Sequence, residues 1–260
     1  MLVFWIIVWA LASAAVNQEL LLPGPLQVAR RLAAFAGTVD FWLTLGRSIL
    51  RVLTGILTAV ILGVLAGLLT HRSLLARELL SPVMTLLKST PVASFIILAL
   101  VWLGRSIVPV FIAGLMVLPV VWANTTAGLV GIDPQLLEMA KVYGLPRRRV
   151  LHRIVWPSLL PYLRSALCSA LGLGWKAGIA AEVLTVPPFS IGKSIYEAKL
   201  YLETTELFAW TLTVILLSFV IERLLLRLVL LPGSGRRAGV PGAAPEAQDA
   251  SGRKEGPDHA

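Results

Sequence analysis

A single cysteine, Cys168, stands inside an apolar run, so the chain can form no intrachain disulfide and no multi-cysteine metal site. Charge is scarce as well. Asp, Glu, Lys and Arg make up 14% of 260 residues, against about a quarter in a soluble globular chain. With 57% hydrophobic residues and a mean hydropathy of +0.82, the composition belongs in a bilayer. The three histidines, His71, His152 and His259, form no cluster, and neither H-E-x-x-H nor G-x-S-x-G occurs. These absences leave no motif for hydrolytic or metal-assisted catalysis. Sustained period-two alternation is missing too, which argues against membrane strands.

What the chain does have is long apolar runs. A helix needs about 20 mostly apolar residues to span the hydrocarbon. Six runs qualify, the first marginally: Leu2 to Val16, Ile49 to Leu69, Pro82 to Leu103, Ile107 to Leu129, Leu160 to Val186, and Leu207 to Leu231. The expected fold is therefore all-α, a polytopic membrane protein with about six transmembrane helices. Ala12-Ser13-Ala14 has the form of a signal-peptide cleavage site, but residues 1–10 contain no Lys or Arg for a basic n-region. Residues 1–19 are accordingly read as a retained first transmembrane helix. Residues 20–231 form the core with the other five, and residues 232–260, rich in Gly, Pro, Ala and charge, as a disordered tail.

The net charge of +9 suggests nucleic acid at first sight, but the basic residues cluster in the loops and the tail, not on a basic face. Lys141, Arg147, Arg148, Arg149 and Arg153 occupy the loop of residues 130–161, and Arg72 and Arg77 occupy an earlier one. Arg236, Arg237, Arg253 and Lys254 follow the last run. Six crossings put all three segments on one side, which the positive-inside rule makes cytoplasmic, together with both termini.

The loop of residues 130–161 carries the clearest signal. Asp133 can cap a short helix, Pro134 suits its first position, and Glu138 lies in its early part, where an anionic side chain is favourable. Gly144 follows the last helical residue, Pro146 allows a new direction, and a second basic segment leads to Pro157. This predicts a helix-turn-helix hairpin at the cytoplasmic surface. A loop of about thirty residues stays ordered most often because a partner docks on it. Anionic lipid head groups are the alternative.

The spacing in this loop resembles the EAA loop of ABC importer permeases, E-A-A-x3-G-x9-I-x-L-P. Glu138, Ala140, Gly144, Ile154 and Pro157 fall in register, while Met139 replaces the first Ala and Trp156 the Leu. Further stretches are similar to the subgroup that imports nitrate, sulfonates, taurine and related solutes. They are Leu22-Pro23-Gly24-Pro25-Leu26-Gln-Val28, Ser48-Ile-Leu-Arg51-Val-Leu-Thr-Gly55, Pro91 with Trp102-Leu-Gly104, and Trp175-Lys176-Ala-Gly178-Ile-Ala-Ala-Glu182. The resemblance implies a permease that pairs with a second copy of itself. Two cytosolic ABC ATPases would dock on its EAA loops, and an extracytoplasmic solute-binding protein would deliver solute. Glu138, Met139, Ala140, Gly144, Ile154 and Pro157 would then form the ATPase-coupling segment. ATP would be bound by the partner chain. Gly192-Lys193-Ser194 looks like the end of a P-loop, but position 187 is proline, not the first glycine of G-x4-G-K-[ST]. The expectation is a non-enzyme without cofactor of its own.

Lys88, Lys176 and Glu182 are ionisable groups inside apolar runs, each needing protein or water to face, since a charge at the bilayer centre costs about 2.5–3.5 kcal/mol on insertion scales. Lys176 and Glu182 are six apart, about 240° around a helix, so each needs a partner elsewhere. They are candidates for a solute path favouring an anion; charge compensation, or snorkelling of Lys88, is the structural reading. A secondary transporter or channel working without an ATPase would show internal repeats or paired broken helices, and no convincing repeat is found.

Overall fold

The computed structural model describes residues 2–229, so the expected tail of residues 232–260 lies outside the described residues. Among the described residues, eleven α-helices and one π-helical turn follow in order. They are α1 (Leu2–Val16), α2 (Pro25–Ala36), α3 (Val39–Arg72), α4 (Leu74–Ser89), α5 (Val92–Trp102), α6 (Val108–Val130), α7 (Pro134–Val142) and α8 (Arg147–Val150). The π-turn (Leu151–Val155) leads to α9 (Trp156–Thr185), and α10 (Ile191–Leu200) and α11 (Thr204–Val229) complete the chain. The expected all-α architecture is the observed one among the described residues, and the apolar runs are helical there except where the third is interrupted at Thr90 and Pro91.

Among the described residues, four helical stretches are long and apolar enough to cross a membrane alone: Val39–Arg72, Val108–Val130, Arg147–Thr185 and Thr204–Leu224. The third apolar run forms a broken pair instead, with α4 and α5 meeting at 109°. Pro91 causes the break. It has no N–H for a continuing helix and disfavours helical geometry in the residue before it, and Thr90 is extended at φ −84°, ψ 135°. Pro109 sits in the first turn of α6 and Pro119 inside it, and neither stops the helix. The two helices α2 and α10, which no apolar run announces, are short and lie between membrane-length segments. Gly24 and Pro25 start α2, where the Gly24 N–H donates to Gln27 Oε1 at 2.9 Å.

The first run forms a 15-residue helix tied to the core. Trp9 Nε1 donates to the Pro23 carbonyl at 3.1 Å, Ser13 Oγ donates to the Leu22 carbonyl at 2.9 Å, and Trp9 stacks on Phe208 of α11. The serine of the cleavage-like triplet thus has a folded role.

The centre of the bundle is α6, packed along α3 on one side and α9 on the other. Glycines make these approaches close. A Cβ on Gly55 would lie 2.2 Å from the Val110 carbonyl oxygen, and one on Gly67 2.6 Å from Thr125. Across the antiparallel α9, a Cβ on Gly174 would meet Ile56 and Val117 at 2.8 Å, and one on Gly178 would meet Val52 at 2.7 Å. Small residues serve this purpose in a bilayer, where packing replaces the hydrophobic drive between helices. Gly46, on the same α3, has nothing within 4 Å of its notional Cβ. Gly55→Val should therefore sharply reduce the yield of monodisperse protein in detergent size-exclusion runs, and Gly46→Ala should leave it unchanged. Equal behaviour of the two would refute backbone contact at Gly55.

Candidate functional site

The residues of the EAA-like spacing come together at one end of the bundle. Asp133 caps α7, its Oδ1 accepting from the Gln135 N–H at 2.8 Å. The helix ends at Tyr143, and Gly144 follows at φ +59°, a left-handed conformation cheap only for glycine. The Gly144 N–H then bonds the Lys141 carbonyl and the Leu145 N–H the Ala140 carbonyl, closing the turn. The second arm differs from a free-standing hairpin. Residues 147–185 form one helical path, α8 passing through the π-turn into α9. Pro157 gives the reason. Its ring would clash with the carbonyl of Arg153 in a regular helix, and a π-turn just before it relieves that clash.

Burial divides the signature in two. Ala140 and Ile154 face inward, forming a small core with Leu129, Ile132 and Leu159, against which Leu68 of α3 packs. This core orders the loop. Glu138, Met139, Gly144 and Pro157 are exposed. Around them Val142 is 84% exposed and Tyr143 75%, with Lys141, Arg147, Arg148 and Arg149 also at the surface. Exposed apolar side chains rimmed by charge are common where a protein meets a partner or a membrane.

The three ionisable candidates do not meet. Lys88 is exposed in the last turn of α4, just before the break. Lys176 is exposed on α9 and lines a groove of 580 Å³ toward α11, with Trp175, Ile179, Ser218 and Glu222 among its walls. Neither lysine has a carboxylate within 4 Å among the described residues. Glu222, absent from the sequence-derived candidates, is the carboxylate that shares the groove with Lys176. Its position in an apolar run was the available signal.

Glu182 sits differently from the expectation of a path-lining charge. It is fully buried near the other end of α9. Arg51 Nη1 of α3 donates to its Oε1 at 2.6 Å, and Ser48 Oγ donates to its Oε2 at 2.8 Å. The Gly192 N–H of α10 donates to the same Oε2 at 3.3 Å, while Ser48 Oγ accepts from the Ile191 N–H at 2.9 Å. Two of the sequence stretches that looked separate, Ser48 to Gly55 and Trp175 to Glu182, thus grip each other. The glycine of the P-loop-like triplet also has a packing role, since a Cβ on Gly192 would lie 2.3 Å from Glu182 Cβ. The intervening turn holds Val186 and Phe189 at φ +48° and +50°, and the Arg47 guanidinium lies 4.3 Å from the Phe189 ring centroid.

Removing one member of such a buried pair leaves an uncompensated charge, at a cost of about 3–5 kcal/mol. Arg51 is 12% exposed, which lowers this somewhat. Arg51→Met alone should lower the midpoint of thermal unfolding in detergent by several degrees. Adding Glu182→Gln, which keeps an acceptor for Ser48 and Gly192, should restore most of the loss. Additive losses would show that the two side chains are not coupled.

With this geometry in place, comparison with known proteins is decisive. Residues 59–230 match the family described as binding-protein-dependent transport system inner membrane component. The taurine transport system permease protein of Escherichia coli is 25% identical over 220 residues, covering 82% of this chain and 80% of that protein. A bicarbonate transport system permease protein of Synechocystis is 33% identical over 162 residues, covering 61% of this chain and 56% of the relative. The crystal structure of an amino acid ABC transporter with histidines superposes with a TM-score of 0.51 at 17% identity, covering 73% of this chain and 92% of that one, a likeness of fold. The chain belongs to the family of binding-protein-dependent transport system inner membrane components, and is a permease component of an ABC import system.

Proposed function

We propose that this chain is the membrane half of an ATP-driven importer for a small solute carrying an anionic group, received from an extracytoplasmic binding protein. Two copies would pair around the path, and two separate ATPase subunits would bind and hydrolyse ATP. The observation that carries the proposal is the ordered loop of residues 130–161, with its own core and an outward face of Glu138, Met139, Val142 and Tyr143. A loop held this firmly while presenting apolar side chains to solvent suits a docking site better than a linker. It also joins α6 to α9 through the capped α7 and a hydrogen-bonded turn, so displacement of the loop by a closing ATPase pair would tilt the bundle and alternate access to its two faces.

The basic loop end is assigned to the cytoplasm. The end carrying α2, α10 and the start of α11 then faces the binding protein. Taurine and bicarbonate, named for the two relatives, both bear an anionic group, and the exposed Lys88 and Lys176 supply positive charge. Glu182 is assigned a structural role because Arg51, Ser48 and Gly192 occupy its oxygens.

Mild solubilisation from native membranes should recover a P-loop ATPase with the wild-type chain and lose it with Glu138→Ala plus Gly144→Asp. If folded wild-type chain comes down alone at good yield, an ATPase-independent carrier replaces this reading. Lys176→Met should lower solute uptake by roughly tenfold, the effect of about 1.4 kcal/mol, while ATPase recovery stays normal. Loss of the assembled complex would instead make Lys176 structural.

A further inference from the structure

The groove between α9 and α11 holds opposite charges that do not meet. Lys176 and Glu222 both line its 580 Å³, and neither has an ion-pair partner among the described residues. Arg223, next to Glu222, lies instead against Phe219, its guanidinium 4.7 Å from the ring centroid. The walls between the two charges are largely apolar, with Ile179, Val214 and Ile215 among them. Both charged residues belong to stretches long and apolar enough to cross a membrane. A charge at that depth needs a counter-charge or water to answer it.

A second feature belongs to the same groove. Trp175 lines it, is only 3% exposed, and its Nε1 is buried with no hydrogen-bond partner among the described residues. The indole N–H groups of Trp9, Trp42 and Trp122, by contrast, all find an oxygen acceptor. An indole nitrogen is a donor only, so what it lacks is an acceptor. Leaving a buried donor unmet costs about 1–3 kcal/mol, which an acceptor carried by a ligand would recover.

The three unanswered groups restrict what can occupy the groove. A lone anion satisfies Lys176 and the indole N–H but stands against the carboxylate of Glu222. A lone cation, organic or metallic, satisfies Glu222, is opposed by Lys176 and offers the indole no acceptor. A molecule with both charges answers all three groups and adds no net charge to an apolar site. The volume lies within the range of small-molecule pockets, about 300–1,000 Å³.

We propose that this groove binds a small zwitterion, with an ammonium group at one end and a carboxylate or sulfonate at the other. The anionic end accepts from Lys176 Nζ and Trp175 Nε1, and the ammonium end donates to Glu222. Glu222 is then the residue that sets specificity, since it separates a zwitterion from the plain anion that lacks an amine. The proposal rests on the reading of Lys176 as part of the solute path, and narrows the solute from one bearing an anionic group to one bearing both charges.

The test uses the full chain in phosphatidylglycerol nanodiscs, in equilibrium dialysis against two labelled pairs. They are β-alanine with propionate, and 2-aminoethanesulfonate with ethanesulfonate, so that each pair differs only by the amine. At least one zwitterion should bind saturably, and about tenfold or more tightly than its counterpart. Glu222→Gln should bring that pair within about twofold by weakening the zwitterion alone. Trp175→Phe, which removes the N–H, should weaken both members severalfold, while Glu78→Gln on α4 changes neither. Glu222 is exposed, so its variant decides the matter if Trp175→Phe fails to fold. Absence of saturable zwitterion binding, equal binding within both pairs, or a preference that survives Glu222→Gln overturns the proposal. ATPase recovery is read from the same membranes. Recovery without the amine preference refutes the zwitterion site and leaves the importer reading standing; the preference without recovery supports the site and refutes the importer reading.

Discussion

A carboxylate sealed away from water at the junction of three helices is the constraint around which one end of this molecule is built. Glu182 is tolerable there only because a guanidinium, a hydroxyl and a backbone N–H reach it together. Each of those groups dictates something else. Arg51 and Ser48 fix the rotation of α3 about its axis, so that Val52 meets Gly178 and Gly55 turns toward α6. The N–H of Gly192 brings α10 so close that no side chain fits at that position. The left-handed Val186 and Phe189 follow from the need to turn the chain sharply and return α10 to the same carboxylate. Such conformations persist where the surroundings over-determine them.

The opposite end is organised by apolar contact. Ala140 and Ile154, fourteen positions apart in the motif spacing, meet under the loop because Gly144 reverses the chain between them. Exposed and buried signature residues therefore have different reasons for their identities. Ala140 is buried in the cluster with Leu129, Ile132, Ile154 and Leu159, Gly144 must turn left, and Glu138 has no internal partner among the described residues. The first two shape the surface on which the third is displayed.

Much of this was legible in the chain. Helix length and apolarity announced the membrane segments, and Asp133, Pro134 and Gly144 announced the ends of α7, because cap and turn residues act locally. Tertiary features were less accessible. Pro91 and Pro119 give the same local signal, yet only Pro91 breaks the path, while α6, packed against both α3 and α9, continues through Pro119. The Arg51–Glu182 pair spans 131 positions, and nothing local links its members beyond the general demand that a charge in an apolar run find a counter-charge. The second arm of the loop looked like a separate helix because Pro146, Arg147 to Arg149 and Pro157 punctuate it. A π-turn absorbs that punctuation and leaves the helix continuous. Amphipathic α2 and α10 escaped notice because the apolar runs on either side dominate any reading by hydropathy.

That continuity gives α9 the mechanics of a rod with a joint near one end. From Trp156 to Glu182 it runs about 39 Å at 1.5 Å per residue, and a tilt of roughly 5° at the loop would carry the far end about 3 Å. Since Glu182 is bolted to α3 and α10 alike, the far end cannot swing by itself. The swing must either drag both neighbours with it or be taken up at the wider, more loosely wound π-turn beside Pro157. Stiffness at the π-turn would therefore set how far a displacement at one end of α9 is felt at the other.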